Sequence, residues 1–162
     1  MGKMNIFLIA TTFFTGIVAG LFFAWTISVM NGLAKLPDKE FILSMQTMNR
    51  EIQNPIFFIF FFGTAILLPI CAFISYRGSL NSSFWLIFIP MLLYLIGVMM
   101  VTIFKNVPLN NMLDSFVLDS STLEQIDVVR RKFEAPWNRW NLVRTISGML
   151  SFALLLLGMI KR

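Results

Sequence analysis

The segment before the last apolar run combines tryptophan, asparagine and arginine side chains at helical spacing. Trp137, Asn141 and Arg144 stand at positions i, i+4 and i+7, which lie on one face of a helix. An indole ring stacks on flat apolar molecules, an amide forms hydrogen bonds and a guanidinium binds anionic groups. The nearest preceding carboxylate, Glu134, is ten residues before Arg144. The partner of this arginine must therefore come from another segment, a lipid or a ligand.

The composition assigns these residues to a membrane protein. Of the 162 residues, 57% are hydrophobic and only 13% are charged, whereas soluble domains usually carry about a quarter charged residues. A water-soluble chain of this length could not bury so much apolar surface, and one compact domain, 1–162, is the natural count. The net charge of +5 suits anionic lipid surfaces, and no nucleic-acid partner is expected.

Four apolar segments are candidates for membrane spans. Three uncharged runs exceed the roughly 20 residues that a span requires, and they cover 4–34, 52–76 and 78–104. The fourth run is shorter, so we expect its helix to begin near Pro136 or Trp137, with Arg144 about two turns inside. The sequence predicts an all-α fold, an integral membrane four-helix bundle, with spans at about 5–30, 54–76, 83–104 and 137–160.

Two longer connections have the pattern of amphipathic helices. In the segment 35–53 apolar residues recur at helical spacing, and Asp38 is the expected N-cap. In the segment 121–134 a second apolar stripe follows Ser121 and Glu124, which have the spacing of a capping box. We expect both helices to cover the bundle on one membrane face, with the termini and the short 77–83 turn on the other.

Polar and aromatic residues lie near the ends of the four spans, at the membrane face that carries these two connections. The candidate catalytic residues are Arg144, Asn141 and Asn110. The candidate substrate-binding residues are Trp25, Asn31, Asn106, Trp137, Asn138 and Trp140. A simpler interpretation treats the tryptophans as an interfacial belt and the asparagines as helix caps. It fits Arg144 least well, because ionisable residues inside spans usually face a cavity or a partner.

The residue types exclude much redox chemistry. Histidine is absent and Cys71 is the only cysteine, so the chain cannot form a histidine-ligated haem, zinc or di-iron site, a cysteine-ligated iron–sulfur cluster or a dithiol pair. The eleven methionines are expected to fill gaps in the apolar core rather than to bind copper. We therefore expect neither a metal nor a cofactor.

Four segments together resemble the anthrone-oxygenase-like family of small membrane proteins: AGLFFAWTISVMNGLAKLPD, FILSMQTMNREIQNPIF, NVPLNNML and APWNRWNLVRT. The most specific parts are the Asn-x-Pro-Leu-Asn pattern from Asn106 to Asn110 and the Trp-x-x-x-Asn-x-x-Arg pattern from Trp137 to Arg144. The resemblance extends from about residue 5 to residue 158. It implies a four-helix membrane bundle and, for characterised members, oxidation of anthrones to anthraquinones by molecular oxygen without metal or flavin.

The implied chemistry fits the candidate residues. An anthrone loses a proton to form an electron-rich enolate, which can donate an electron to oxygen without a cofactor. Tryptophan rings would stack on the substrate, while Arg144 and the asparagine amides would stabilise the developing oxyanion. The general base stays open between a loop carboxylate such as Asp114, a water molecule and spontaneous ionisation.

Two other functions stay open. The first is non-catalytic binding of a lipid, a quinone or another apolar small molecule by the same candidate residues. The second is a structural role, because small residues at four-residue steps on the first span favour close helix packing, either within the bundle or in a homo-oligomer. This small-residue face contains Thr12, Gly16, Gly20 and Ala24.

The chain is expected to be a multi-pass protein of the bacterial cytoplasmic membrane with cytoplasmic termini. The side of the termini carries four cations close to the span ends, Lys3, Arg77, Lys161 and Arg162. The opposite side carries nine cations and all eight acidic residues. The positive-inside rule favours the first side by density and the second by number.

Overall fold

Helices account for the regular structure of this chain. The computed structural model describes residues 3–76 and 81–161, with side chains from Ile6 onward, and no strand occurs in these ranges. Four helices are long and apolar enough to cross a membrane: Ile6–Leu33, Pro55–Ser75, Ser82–Asp114 and Leu123–Ile160. The predicted all-α fold with four spans is therefore confirmed, and the chain is a multi-pass membrane protein.

Five helices follow one another along the chain. They are α1 (residues 3–33), α2 (Asp38–Glu51), α3 (Pro55–Ser75), α4 (Ser82–Asp114) and α5 (Leu123–Ile160), with a 3₁₀ turn at Leu118–Ser120. Helix α1 packs on α3 and α5, and α4 packs on α5 and, near its own N-terminus, on α3. All four spans contribute to the membrane core, which includes Val18, Leu68, Tyr94 and Leu155.

Asparagine side chains define where two spans begin. The Oδ1 atom of Asn54 accepts a hydrogen bond from the backbone N–H of Phe57 at 3.0 Å, at the start of α3. The Oδ1 atom of Asn81 accepts from the backbone N–H of Phe84 at the same distance, at the start of α4. Each cap satisfies a backbone donor that lipid could not satisfy.

The fourth span differs from its predicted bounds. Helix α5 begins at Leu123, well before the predicted span 137–160, so the second predicted amphipathic helix is its first part. A capping box formed by Thr122 and Gln125 starts the helix. The charged residues of this part end the apolar run but not the helix, because a helix that has left the bilayer needs no apolar surface on its outer side.

Pro136, the predicted start of the span, lies inside α5. Proline has no backbone N–H, so the carbonyl of Lys132 loses its usual helical partner. Lys132 is exposed, and water can satisfy that carbonyl. Proline here removes one hydrogen bond without ending the helix.

Helices α1 and α4 contain π-helical segments. These are Trp25–Val29 in α1, and Leu93–Met100 and Thr102–Asn106 in α4. Helix α4 then continues as α-helix over Val107–Asp114, beyond the predicted end at 104. A π-helical turn holds more residues than an α-helical turn, which changes the side chains that face the interior and is frequent at functional sites.

Helix α2 and the first part of α5 form a cap over the spans. The apolar core of this cap includes Phe41, Met45, Leu113, Phe133 and Trp137. Gln46 of α2 donates through Nε2 to the backbone carbonyls of Leu113 at 2.8 Å and Phe116 at 2.9 Å. These bonds satisfy carbonyls at the C-terminal end of α4 and attach the cap to that span.

Arg130 of α5 attaches the connection between α1 and α2 to the cap. Its Nη1 donates to the carbonyl of Leu36 and to Oδ1 of Asp38, both at 2.7 Å. Its Nη2 donates to the carbonyl of Ala34 at 3.0 Å, and its Nε donates to Glu134 at 2.8 Å. Asp38 is the first residue of α2 and pairs with Arg130, so its prediction as the N-cap was wrong.

The small-residue face of α1 is divided between the interior and the surface. A Cβ atom on Gly16 would come within 2.9 Å of the Phe152 ring, so this glycine allows α1 and α5 to approach closely. Thr12 is buried as well. By contrast, a Cβ atom on Gly20 would have no heavy atom within 4 Å, and Ala24 is exposed. A homo-oligomer through this face stays a prediction.

Two cations that bear on orientation, Arg77 and Arg162, lie outside the described residues. Residues 78–80 of the predicted 77–83 turn lie outside them too. The cytoplasmic location of the termini stays a prediction. The single domain over 1–162 also stays a prediction.

Replacing Arg130 by methionine should destabilise the cap, because its carbonyl and carboxylate partners lose a donor whose side chain is only 13% exposed. We expect a loss of about 2 kcal/mol in the free energy of unfolding, measured by denaturant titration in micelles. Arg131→Met is the matched control. It removes the exposed pair with Asp127 on the same helix and should cost less than about 0.5 kcal/mol. Equal losses in both variants would contradict this role for Arg130.

Candidate functional site

A cavity of about 190 Å³ lies where the spans meet the cap. Aromatic side chains from α1, α3 and α5 form much of its wall, and they include Phe22, Trp25, Phe57, Phe61 and Trp137. Polar lining comes from Asn49, Gln53, Thr102, Asn110, Asn111 and Arg144. An apolar protein cavity of about 150 Å³ is large enough to hold benzene, so this one accommodates a small aromatic system.

The cavity reaches the surface between α3 and α4. Phe58 and Phe62 of α3 and Ile103 of α4 line it and are also partly exposed. At the edge of the cavity the Tyr94 hydroxyl of α4 donates to the carbonyl of Phe61 in α3 at 2.9 Å, and the two helices also pack together toward the N-terminus of α4. The opening is therefore bordered by apolar side chains of two spans.

Arg144 lies at the wall of this cavity with only 5% of its surface exposed. Its Nη2 donates to Oδ1 of Asn141 at 2.8 Å, and its Nη1 donates to Oγ1 of Thr102 at 3.4 Å. Its Nε has no hydrogen-bond partner among the described residues. The guanidinium carbon lies 4.3 Å from the centroid of the Phe22 ring and 5.4 Å from that of Trp137, within the range of cation–π attraction.

No carboxylate neutralises this guanidinium. All eight acidic residues fall within the described ranges and none lines the cavity. The arginines that form ion pairs in the described part of the chain are Arg50, Arg130 and Arg131. Burying a charge without a counter-ion costs several kcal/mol, and an ionisable group held inside a membrane span usually serves a function. The charge is therefore available to an anionic ligand.

A buried hydrogen-bond network fixes the position of Arg144. Asn141 accepts from Arg144, and its Nδ2 donates to Oγ1 of Thr26 at 2.9 Å. The hydroxyl of Thr145 lies 2.8 Å from that of Thr26 and donates to the carbonyl of Phe22 at 3.0 Å. The network joins α5 to α1 beside the π-helical segment that begins at Trp25. It orients the guanidinium without cancelling its charge.

Trp137 belongs both to the cap core and to the cavity wall. Its Nε1 donates to Oδ1 of Asn110 at 2.8 Å, and its ring centroid lies 5.4 Å from that of Trp25. Its backbone carbonyl accepts from Nδ2 of Asn106 at 3.4 Å, and Asn106 is fully buried. Both asparagines lie in the continuous helix α4 and hold α5, whereas the simpler interpretation treated them as helix caps.

The structure brings some of the predicted site residues together and separates others. Four of the nine line the cavity: Trp25, Asn110, Trp137 and Arg144. Two are buried and bonded to cavity residues without lining the cavity: Asn106 and Asn141. Three others do not line it: Asn31, Asn138 and Trp140.

Helix geometry explains the three misplaced residues. Asn31 is exposed, and its Nδ2 donates to the carbonyl of Ile27 on its own helix at 3.0 Å. Asn138 follows Trp137 directly, and adjacent helical residues do not share a face. Trp140 is half-buried, with Nζ of Lys105 5.1 Å from its ring centroid. The structure therefore does not bring these three residues to the cavity.

Asn49 of α2 lines the cavity but was not among the predicted site residues. It follows Phe41 and Met45 at four-residue steps, and all three are buried. A polar residue that continues an apolar stripe was the signal that could have identified it.

The loop carboxylate proposed as a general base does not reach the cavity. Asp114 is exposed and accepts from Nε of Arg50 at 2.7 Å, outside the cavity lining. In the described part of the chain, no three cysteine, aspartate or glutamate side chains come together as they would to hold a metal. Water and spontaneous ionisation are the sources of proton removal that stay open.

Comparison with known proteins identifies the family. A family model described as Anthrone oxygenase matches residues 57–154, more than half of the chain. The chain belongs to the anthrone oxygenase family. This confirms the resemblance drawn from the sequence motifs, and the matched range contains Asn110, Trp137 and Arg144. No curated protein and no solved structure matches the chain.

In this anthrone oxygenase family member, a flat aromatic anion such as 2-naphthoate should bind beside Arg144 and quench tryptophan fluorescence saturably. Asn141→Asp should raise the dissociation constant about 30-fold, because the new carboxylate would neutralise the guanidinium at a cost of about 2 kcal/mol in binding. Fluorescence titration in lipid nanodiscs measures this. Asn31→Asp adds the same charge outside the cavity and should change the constant less than about twofold. Similar weakening by both variants would mean that overall charge, not Arg144, controls binding.

Proposed function

We propose that this protein is a membrane oxygenase that oxidises a planar phenolic or anthrone-like molecule with molecular oxygen and needs no cofactor. One observation carries the proposal: a buried guanidinium without a carboxylate partner borders an aromatic-walled cavity. An anthrone enolate is flat, apolar and anionic, so it matches both properties. Membership of the anthrone oxygenase family supports the same reaction class.

The reaction balances with oxygen as the only oxidant. The methylene carbon of the anthrone loses a proton, giving an enolate, which transfers one electron to O₂. The resulting carbon radical and superoxide combine to form a C–O bond, and protonation gives a hydroperoxide. Loss of water from this hydroperoxide leaves the second carbonyl of the anthraquinone. One anthrone and one O₂ thus give one anthraquinone and one H₂O.

The cavity residues have separate roles in this proposal. Arg144 binds the enolate oxygen and lowers the free energy of the anion, which is the step that most needs a positive charge. The rings of Phe22, Trp25 and Trp137 stack on the fused aromatic system. Asn141 is a positioning residue, because its amide oxygen accepts from Arg144 while its amide nitrogen donates to Thr26. With no carboxylate in the lining, the proton leaves to water.

We also propose that the protein works in the bacterial cytoplasmic membrane on a substrate dissolved in the bilayer. The four spans, the net charge of +5 and the apolar border of the cavity opening support this. Membrane fractionation checks the location, and recovery with outer-membrane markers would contradict it.

Arg144→Met tests the proposed reaction. It should lower kcat/KM for oxygen uptake with an anthrone by about 100-fold or more, since removal of one oxyanion donor typically costs about 3 kcal/mol. An oxygen electrode and anthraquinone absorbance measure the rate in proteoliposomes, with the spontaneous rate in protein-free liposomes subtracted. Arg139→Met is the matched control, because Arg139 is exposed on the same helix outside the cavity; it should keep the wild-type rate.

Two results would overturn the proposed function. The first is wild-type oxygen uptake that never exceeds the spontaneous rate across a panel of anthrones and quinols. The second is an equal loss of activity in both arginine variants. If native mass spectrometry then found an apolar molecule retained unchanged in the cavity, non-catalytic binding would replace the oxygenase proposal.

A further inference from the structure

Asn49 is a buried residue whose amide nitrogen the protein does not use. It lines the cavity with 5% of its surface exposed, and its Nδ2 atom has no hydrogen-bond partner within the described part of the chain. Its backbone carbonyl alone is engaged, by Nε2 of Gln53 at 2.9 Å. Buried polar groups in folded proteins are nearly always hydrogen-bonded, so an unpaired amide at a cavity wall indicates a ligand contact.

Other amides near Asn49 show the contrast. Gln46, one turn earlier on α2, donates to two backbone carbonyls at and just beyond the C-terminal end of α4. Asn110 accepts from the Trp137 indole, and Asn141 holds Arg144. The unpaired amide nitrogen of Asn49 therefore contrasts with these three bonded amides.

Unpaired atoms point to two residues of the cavity. Among the described side chains, four buried nitrogen or oxygen atoms lack a partner, and they belong to Asn49, Asn106, Asn138 and Arg144. Of these four residues, Asn49 and Arg144 line the cavity. One lies in cap helix α2 and the other in span α5, so both border the space between cap and spans.

We propose that Asn49 selects substrates by hydrogen-bonding a second oxygen, separate from the anionic oxygen that Arg144 binds. The proposal rests on the proposed function of the cavity. An amide both donates and accepts hydrogen bonds, so it recognises either a hydroxyl or a carbonyl oxygen. The substrate class is then a fused aromatic system with two oxygen functions at different edges, in preference to one with a single oxygen.

A matched pair of probes tests this selection without turnover. 2-Naphthoate carries one anionic group, and 6-hydroxy-2-naphthoate adds a hydroxyl at the far edge. The wild type should bind the hydroxylated probe about tenfold more tightly in fluorescence titrations in nanodiscs. Asn49→Leu should abolish this preference while changing the 2-naphthoate constant less than about twofold. Arg144→Met should weaken both probes by the same factor, and Asn31→Leu, outside the cavity, should change neither constant.

Thermal unfolding of the ligand-free variants separates recognition from a structural role. Because the Asn49 amide is unpaired, Asn49→Leu should keep or raise the midpoint of unfolding. Asn141→Leu removes a bonded amide and should lower it. An equal decrease in both variants would overturn the assignment of Asn49 to ligand recognition.

The outcomes distinguish the two proposals. If the wild type shows no preference, or if Asn49→Leu retains it, the role of Asn49 is overturned while binding that depends on Arg144 still supports the proposed function. If neither probe binds, or if binding is unchanged in Arg144→Met, the anion site itself is wrong and the role of Asn49 fails with it.

Discussion

The account depends on one positive charge that the chain buries and does not neutralise. Arg144 is stabilised by an amide oxygen, a hydroxyl and the faces of two aromatic rings. Dipoles and ring quadrupoles lower the cost of burial but leave the net charge in place. Beside apolar walls of low polarisability such a charge attracts an anion more strongly than it would in bulk water. In the proposed reaction, the same feature that costs stability gives the cavity its affinity for an enolate.

Two of the four arginines in helix α5 are in opposite electrostatic situations. Arg130 is paired with Asp38 and Glu134 and fastens the cap, whereas Arg144 has no acidic partner and faces the cavity. They are separated by about 21 Å of continuous helix. Because one continuous helix carries both arginines, it fixes the position of the Arg144 charge relative to the cap that encloses the cavity. The π-helical segments Trp25–Val29 of α1 and Thr102–Asn106 of α4 contribute residues to the cavity wall.

The four spans could be predicted from uncharged runs, since a bilayer selects directly for apolar length. The continuity of α5 could not, because its first part leaves the bilayer and looks like a separate amphipathic helix. The capping box was predicted one residue early, at Ser121 and Glu124, whereas Thr122 and Gln125 form it. Arg144 could be identified because a charged side chain two turns inside a span is costly to bury and usually has a function. Asn31 and Trp140 lie outside the cavity, because a position near one membrane face does not determine which side of its helix a residue occupies. That side depends on π-helical turns and on packing, which sequence spacing alone does not encode.

The most direct test of the central claim is the nuclear magnetic resonance signal of the Arg144 Nε–H group in nanodiscs containing ¹⁵N-arginine-labelled protein. The spectrum of Arg144→Met assigns this signal by its absence. Saturation with 2-naphthoate should shift it strongly while the signals of Arg130 and Arg139 stay in place, because Arg130 is paired with two carboxylates and Arg139 lies outside the cavity. An unchanged Arg144 signal at full saturation would show that the ligand binds elsewhere and would contradict the account.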